Sequence, residues 1–583
     1  MVTTGILWHE WGEEAFRKAK ELKKPILMDI SAAWCHWCHV MDQTSYSDKE
    51  VIRIVNSSFV AIRVDTDQRP DINRRYNVGG WPSTVFLTPD GGVITGATYV
   101  PPDQMRILLR QVSEEFSRSS ERRIPKASAK TPTLEVRSDV PHLEPDISDL
   151  VTNDVLNAVI RSYDNVYGGF GDQPKFPQPD VVSFVLQEYA ISKDQGLQLI
   201  LTRTLDNMAE GGMYDREEGG FFRYSTRRDW SAPHYEKILE ENARLLSIYL
   251  DAYQILGKSS YKELAEQIIK YVDSVLSNRP IGGFFGSQDA DEEYYRCSSS
   301  EREGKSPPKV DKTIYIGQNA LMTNAYLKAS AVLHRQDLRE FAGKTINFLL
   351  EKCLDKRGIM YHYHNEDGPK SPHLLMDQVQ MVHVLLEGCT RFSERSYFQR
   401  AIDMTQSMLD VFYDPIAGGF YDTVMEKNPM GALRQREKII DENSHAAELF
   451  LKLYDLTNVE EYSEKAKATL GVFQDTFKAY DVMASCYARA ARLLTTPSVK
   501  ITVVGRQGDA NTEALRETSL AFYACRKSVQ ILDPSIESDR IGVLGYQVSE
   551  VPTAYVCVGQ TCLEPLHDPK ELAARVSDTA AKV

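Results

Sequence analysis

A short phrase recurs along the middle of this chain, and it restricts the fold more than any other feature. Gly-Gly-Phe occurs at 168–170, Gly-Gly-Phe-Phe at 219–222 and again at 282–285, and Gly-Gly-Phe-Tyr at 418–421. The stretch 357–363, RGIMYHY, reads as a degenerate copy. The intervals, 51 to 76 residues, leave room for one helical hairpin each. The intervening sequence is helix-rich: over Glu236–Leu256, Leu239, Ala243, Leu246, Leu250 and Tyr253 fall on one stripe. A hairpin repeated in this way predicts a toroid of alternating inner and outer helices. The glycines permit a tight turn, and the aromatic anchors it over the ring mouth. The competing reading is a plain bundle with glycine-capped helices.

With 583 residues the chain exceeds one compact core. We read 1–117 as one domain, 118–149 as a proline-bearing linker, 150–497 as the helical domain, and 498–583 as a small α/β region. The last rests on three apolar β-type runs, 499–505, 528–533 and 553–559, with a helix over 511–524. A formal charge of −14 disfavours nucleic acid as a partner. No run of 18 apolar residues predicts a membrane span. The first twenty residues show neither a secretory nor a transit pattern, so a cytoplasmic location is expected.

Of nine cysteines, only Cys35/Cys38 and Cys557/Cys562 lie close together. Cys35-His36-Trp37-Cys38 follows an apolar run, 25–31, and opens a predicted helix. A thiol at a helix N-terminus sees partial positive charge, which favours the thiolate. Cys35 is then the attacking nucleophile and Cys38 the resolving thiol. Gly79-Gly80-Trp81-Pro82 precedes the strand-like 83–87. In thioredoxin-like folds a cis-proline here packs against the cysteines and leaves the preceding backbone, here Trp81, free to pair with an extended substrate. The elements expected over 1–117 are helix, strand, helix, helix, strand, strand, strand, helix. C-x-x-C-H is also a haem-attachment pattern, two Cys and two His within five residues admit zinc, and the pair could be idle in a thioredoxin-like fold. We expect neither metal nor cofactor. Cys557 and Cys562 would form a second pair if the strand folds back.

The whole chain, from about Trp8 to Pro569, resembles the thioredoxin-domain proteins related to spermatogenesis-associated protein 20. The resemblance is carried by W-x-x-W-G-E-E-A-F (8–16), CHWCHVM (35–41), RPDI (69–72), GGWP (79–82) and FLTPDG (86–91). It continues through YGGFG with PKFP (167–177), GG-x-x-D with GGFFRYS (211–225), PHYEK with Asn242, GGFF with DAD (282–291), and AYVC with TC and P (554–565). It implies a thioredoxin-like domain followed by an (α/α)6 barrel, the toroid shared with six-hairpin glycosidases and N-acylglucosamine 2-epimerases. This chain departs from its relatives in two places. It has Gly317-Gln318-Asn319 where they usually carry Trp-Asn-Gly, and Asp441-Glu442-Asn443-Ser444 where they tend to carry Pro-Ser-Gly-Asn-Ser. Both departures would fall near the barrel mouth.

In a toroid the loops at one end share a cavity, so the motif-borne Asp215, Arg223, Tyr224, His234, Glu236, Lys237, Asn242, Asp289, Asp291 and Glu442 form a candidate barrel site. Sugar chemistry would need paired carboxylates or a histidine base, and His234 with Glu236, or Asp289 with Asp291, supply such pairs. The competing reading makes Glu236 and Lys237 helix-capping residues. Two functions follow: a thiol–disulfide oxidoreductase acting on a protein disulfide or reductase, or a carbohydrate-binding or carbohydrate-processing barrel with a regulatory redox domain. A redox-sensing scaffold without turnover is the third.

Overall fold

The computed structural model describes residues 5–121, 142–559 and 561–580. The N-terminal module runs β1 (Trp8–His9), α1 (Glu13–Leu22), β2 (Ile26–Ser31), α2 (His36–Gln43), α3 (Lys49–Ser58), β3 (Val60–Asp65), α4 (Pro70–Tyr76), β4 (Ser83–Leu87), β5 (Val93–Ala97) and α5 (Pro102–Glu121). Its sheet has the order β1-β3-β2-β4-β5, with β1, β3 and β2 parallel and β4 and β5 antiparallel to their neighbours. β2 is sandwiched. Ile26, Met28 and Ile30 pack with Phe16 and Ile72 on one face, while Leu27 packs with Met41, Ile54 and Leu109 on the other.

Two elements of this module were not expected. β1 is only two residues long, and α4, PDINRRY, is too polar to show a helical stripe. Helix α5 extends through Glu121 and α6 begins at Pro145, so both ends of the expected 118–149 linker are helical. Residues 122–141 lie outside the described residues.

Twelve helices then build the toroid. The inner six are α7 (Pro179–Ser192), α9 (Leu239–Leu256), α13 (Ile316–Val332), α15 (Leu375–Phe392), α17 (Ile440–Thr457) and α19 (Ser485–Thr495). Each packs on the next, and α19 closes the ring on α7. Backing them are α6 (Pro145–Ser162), α8 (Gln195–Glu210), α10 (Ser259–Tyr271), α14 (Gln336–Lys352), α16 (Arg395–Phe412) and α18 (Glu460–Gly471). Helix α9 shows why it is an inner one. Besides the predicted stripe it buries Leu245, Ile248, Tyr249 and Ala252, so it is apolar nearly all round.

The repeated glycine phrase is a clamp. Phe170, Phe221, Phe284, Met360 and Phe420 each form one antiparallel bridge across their loop, to Tyr163, Tyr214, Ser277, Leu354 and Tyr413. In four copies an amide from the first turns of the next inner helix holds that residue's backbone. Asn242 accepts from the Phe221 N–H at 2.8 Å and donates to its carbonyl at 3.1 Å. Asn319 does the same at Phe284, Gln378 at Met360 and Asn443 at Phe420.

Short strands and turns line the rim where the inner helices begin: β6 (Tyr224–Ser225), β7 (Pro233–His234), β8 (Lys237–Ile238), β9 (Ser287–Gln288), α11 (Glu292–Tyr295), α12 (Ser299–Arg302), β10 (Val310–Asp311), β11 (Ile314–Tyr315), β12 (Tyr363–Asn365) and β13 (Gly368–Lys370). At the other end sits β14 (Val499–Val504), α20 (Ala510–Leu520), β15 (Lys527–Leu532), α21 (Ser538–Val543), β16 (Thr553–Val558), β17 (Thr561–Cys562) and α22 (Pro569–Ala580), a sheet of order β15-β14-β16-β17. It caps the helix C-termini: Gln254 donates to Ala521 O, Thr390 to Val529 O, and Arg526 grips Asp455. The chain does fold back here, and Cys557 and Cys562, paired across β16–β17, are disulfide-bonded. Among the described residues no helix is long and apolar enough to cross a membrane.

Candidate functional site

Helix α2 opens on Cys35, whose Sγ accepts a hydrogen bond from the Cys38 N–H at 3.2 Å. The sulfur therefore sits at the positive end of the helix, where negative charge is stabilised. Cys35 and Cys38 are joined in a disulfide, and the Trp81–Pro82 peptide is cis. On β2, beneath this helix, Asp29 is buried with the Tyr46 hydroxyl and the Arg63 guanidinium. Burial pushes its carboxyl up to about 6.

This face does not meet solvent. Cys35 and Cys38 are each 4% exposed and pack with Ala32, Trp34 and Ile238, the last from β8 of the barrel. Trp37, between the cysteines, is 47% exposed, so the helix flank is open while the sulfurs are covered. The Arg223 guanidinium stands 4.4 Å from the Trp34 ring centroid and 4.9 Å from that of Trp81, which Trp34 meets edge-on. Tyr224 stacks on Phe176 and on His234, whose Nδ1 is 2.8 Å from Glu236 Oε1. His39 Nδ1 lies 3.4 Å from Asp289 Oδ2.

Docking extends well beyond the cysteines. Arg74 and Arg75 of α4 reach Glu442 and Asp422 at 2.7 and 2.9 Å. Leu433, from the loop between α16 and α17, is buried in the core of the N-terminal module, with Met430 against it. Gly91 and Gly431 meet back to back: a Cβ on Gly91 would fall 2.3 Å from Gly431 Cα. A hydrogen-bonded chain also crosses the junction. Trp34 Nε1 donates to Asp67 Oδ2 at 2.6 Å, and His362 Nε2 lies 2.7 Å from the Asp67 carbonyl. His362 Nδ1 is 2.8 Å from Asp377 Oδ2. Burial, then the neighbouring Asp65 carboxylate, push Asp67 up to about 8. Burial pulls His362 down most, but the Asp377 carboxylate, the Asp67 carbonyl and the Asp71 carboxylate together hold the imidazole above its ordinary value.

The ten barrel residues singled out in the sequence do not form one cluster. Asp215 and Lys237 are an ion pair at 2.7 Å inside the Gly-Gly-Phe-Phe loop, where Lys237 also donates to Gly219 O and burial lowers it to about 8. Asn242 is the clamp described above, and Asp291 caps α11. These four belong to the framework. Arg223, Tyr224, His234, Glu236 and Asp289 gather at the docked face of the N-terminal module. Glu442 alone turns into the ring.

That interior has two lobes of about 300 and 320 Å³, which share Asp180, Arg244, Leu321, Gln380 and His445. The upper lobe is walled by Asp67, Asp71 and Arg74 of the N-terminal module. Lys527 and Val529 of β15 floor the lower one. Both departures from the family pattern reach the upper lobe, at Gln318 and at Asp441–Glu442. Asp180, His445 and Cys486 bring ligand atoms within 4.8 Å of one another. Arg244 donates to both Asp180 oxygens at 3.0 Å and Arg489 stands 3.4 Å from His445, which opposes a metal cation there. Apart from Glu442, the sequence reading missed this lining. Its signal was polar side chains at helical spacing on otherwise apolar helices: His383 and Glu387 on α15, and His445, Glu448 and Lys452 on α17.

Residues 1–134 match the family profile Thioredox_DsbH, described as a protein of unknown function, DUF255. Spermatogenesis-associated protein 20 from Homo sapiens is 25% identical over 699 aligned residues, taking in 97% of this chain and 89% of that protein. A thioredoxin H-type from Fagopyrum esculentum is 36% identical over 78 residues, 13% of this chain and 63% of its own. Among solved structures, cellobiose 2-epimerase from Spirochaeta thermophila aligns with a TM-score of 0.47 at 14% identity, covering 60% of this chain and 96% of that one. The N-terminal module thus matches the DUF255 profile, and over nearly all its length the chain is similar to spermatogenesis-associated protein 20.

Proposed function

We propose that the protein carries out thiol–disulfide exchange at Cys35–Cys38, with a protein disulfide or a reductase as partner. The single observation that supports this most is the Cys35 sulfur capping α2, in the setting that favours a thiolate. In the reduced protein the Cys35 thiolate attacks one sulfur of the partner's disulfide. A mixed disulfide forms and the partner's other sulfur leaves as a thiolate. Cys38, after giving up its proton, attacks Cys35 and closes the intramolecular disulfide, releasing the partner's second thiolate. The partner gains two electrons and the protein loses two. A cytoplasmic dithiol reductant returns the pair to its starting state.

Ile238 and Arg223 cover the cysteines and the Trp81 ring. An extended polypeptide therefore reaches them only when the module lifts from the barrel, and the barrel limits which partners react. Dithiothreitol-reduced protein should reduce insulin or a glutathione mixed disulfide catalytically. Cys35→Ser should abolish this, and Cys38→Ser should accumulate the mixed disulfide, visible as a mass adduct. Absence of turnover in the wild type, or turnover that survives Cys35→Ser, contradicts the proposal.

A further inference from the structure

We infer that the interior of the helical ring is a binding site for a small molecule rich in hydrogen-bond donors, carrying several hydroxyl or ammonium groups. The cavity is built from both modules. Ring helices form its sides, α4 and the segment before it close one end, and β15 with the end of α20 closes the other. Lobes of about 300 and 320 Å³ suit a molecule of roughly monosaccharide to disaccharide size.

The class of ligand follows from what the lining lacks. Asp441 Oδ1, Glu442 Oε2 and Gln318 Oε1, all in the upper lobe, are buried acceptors with no hydrogen-bond partner, and so is Asn324 Oδ1 in the lower lobe. Unmet buried acceptors are destabilising, and native proteins rarely keep several in one place. Glu442 is almost wholly buried, and burial raises both its carboxyl, to about 7, and that of Asp441. Both carboxyls are short of donors. His383 Nδ1, also without a partner, faces the lower lobe on an imidazole that burial keeps neutral at ordinary pH, with its value pushed down to about 4.

The cations of the lining are already engaged. Arg244 holds Asp180 and Glu240, Arg74 holds Glu442, Arg489 holds Glu448, and Lys452 holds Glu387. Lys527, on the floor, donates to the carbonyls of Leu520 and Phe522. The unmet groups are therefore acceptors, and an anion would add more. The inference stands on this cavity and is independent of the redox proposal.

The test uses the full-length protein and three sets of probes, read by thermal shift and titration calorimetry. Mannose, cellobiose and myo-inositol are neutral polyols, putrescine and spermidine are amines, and glucose 6-phosphate and glucuronate are anions. Binding by polyols or by amines is expected, and the set that binds says which donor the site takes. Asp441→Asn and Asn324→Ala should each weaken that binding about tenfold. Glu442→Gln should weaken it similarly, but it also touches the Arg74 contact. Asn324 lines the lower lobe and not the one walled by the N-terminal module, so its variant keeps the test meaningful if the module loosens. The inference is overturned if neither donor class binds, if only the anions bind, or if binding survives both Asp441→Asn and Asn324→Ala unchanged.

Discussion

At Asp67 one carboxyl receives the indole N–H of the residue before Cys35, while its own backbone meets the barrel's His362. Its folded value of about 8 stands well above the ~4 of an unfolded aspartate. A raised folded value means that the stability tied to this proton is complete below pH ~4 and is lost as pH rises through about 8. The melting temperature of the wild type should therefore fall more steeply between pH ~4 and ~8 than that of Asp67→Asn. Parallel profiles would show that Asp67 ionises freely in the folded protein. The sequence disclosed the chemistry at this scale only where it was local. Cys35, Cys38, Trp81 and Pro82 announce themselves because a helix cap and an X-Pro bond are nearest-neighbour matters. Asp67 and His362 are 295 residues apart and carry no such mark.

Among elements, the glycine–aromatic loops do more than turn the chain. Four of the five copies are tied to the next inner helix by an amide that satisfies one buried N–H and one buried carbonyl, so loop and helix set each other's position. Asn242→Ala and Asn443→Ala should each cost about 2–4 kcal/mol, since each leaves both backbone groups unmet. Urea denaturation should show lowered midpoints for both, and a loss below about 0.5 kcal/mol in either would contradict the clamp. The phrase was legible because it repeats, and the toroid followed from it. The roles of Asp215, Lys237 and Asn242 were not, because a buried ion pair and a capping amide use the same residue types as a catalytic centre. Helix α4 escaped because its residues serve the junction and its one apolar side, Ile72 and Tyr76, is too short to show a period.

For the whole molecule, the barrel is a ring stoppered at both ends, and the Cys35–Cys38 disulfide lies on the inner face of one stopper, against the ring's rim. The close approach of Gly91 and Gly431 is where that stopper tolerates least. Both residues have positive φ, +88° and +54°, so Gly431→Ala meets strain as well as a clash with the Tyr76 hydroxyl. It should release the N-terminal module while the ring stays folded. Small-angle scattering should then show a larger radius of gyration with unchanged far-ultraviolet circular dichroism, whereas unchanged dimensions would mean that docking absorbs the added methyl. That the two modules meet here was not visible in the sequence: Arg223 stood out there only as a candidate barrel residue, and Ile238 and Leu433 look like ordinary strand and loop residues.

Covering of the reactive pair is the claim on which the rest depends, and it can be measured at one atom. Reduced protein is treated with iodoacetamide, and carboxamidomethylation of Cys35 is followed by mass spectrometry in the wild type and in an Arg223→Ala, Ile238→Ala double variant. The account predicts slow labelling in the wild type, limited by opening of the junction, and labelling at least about tenfold faster in the variant. Labelling of wild-type Cys35 as fast as a solvent-exposed thiolate, with no change in the variant, would contradict it.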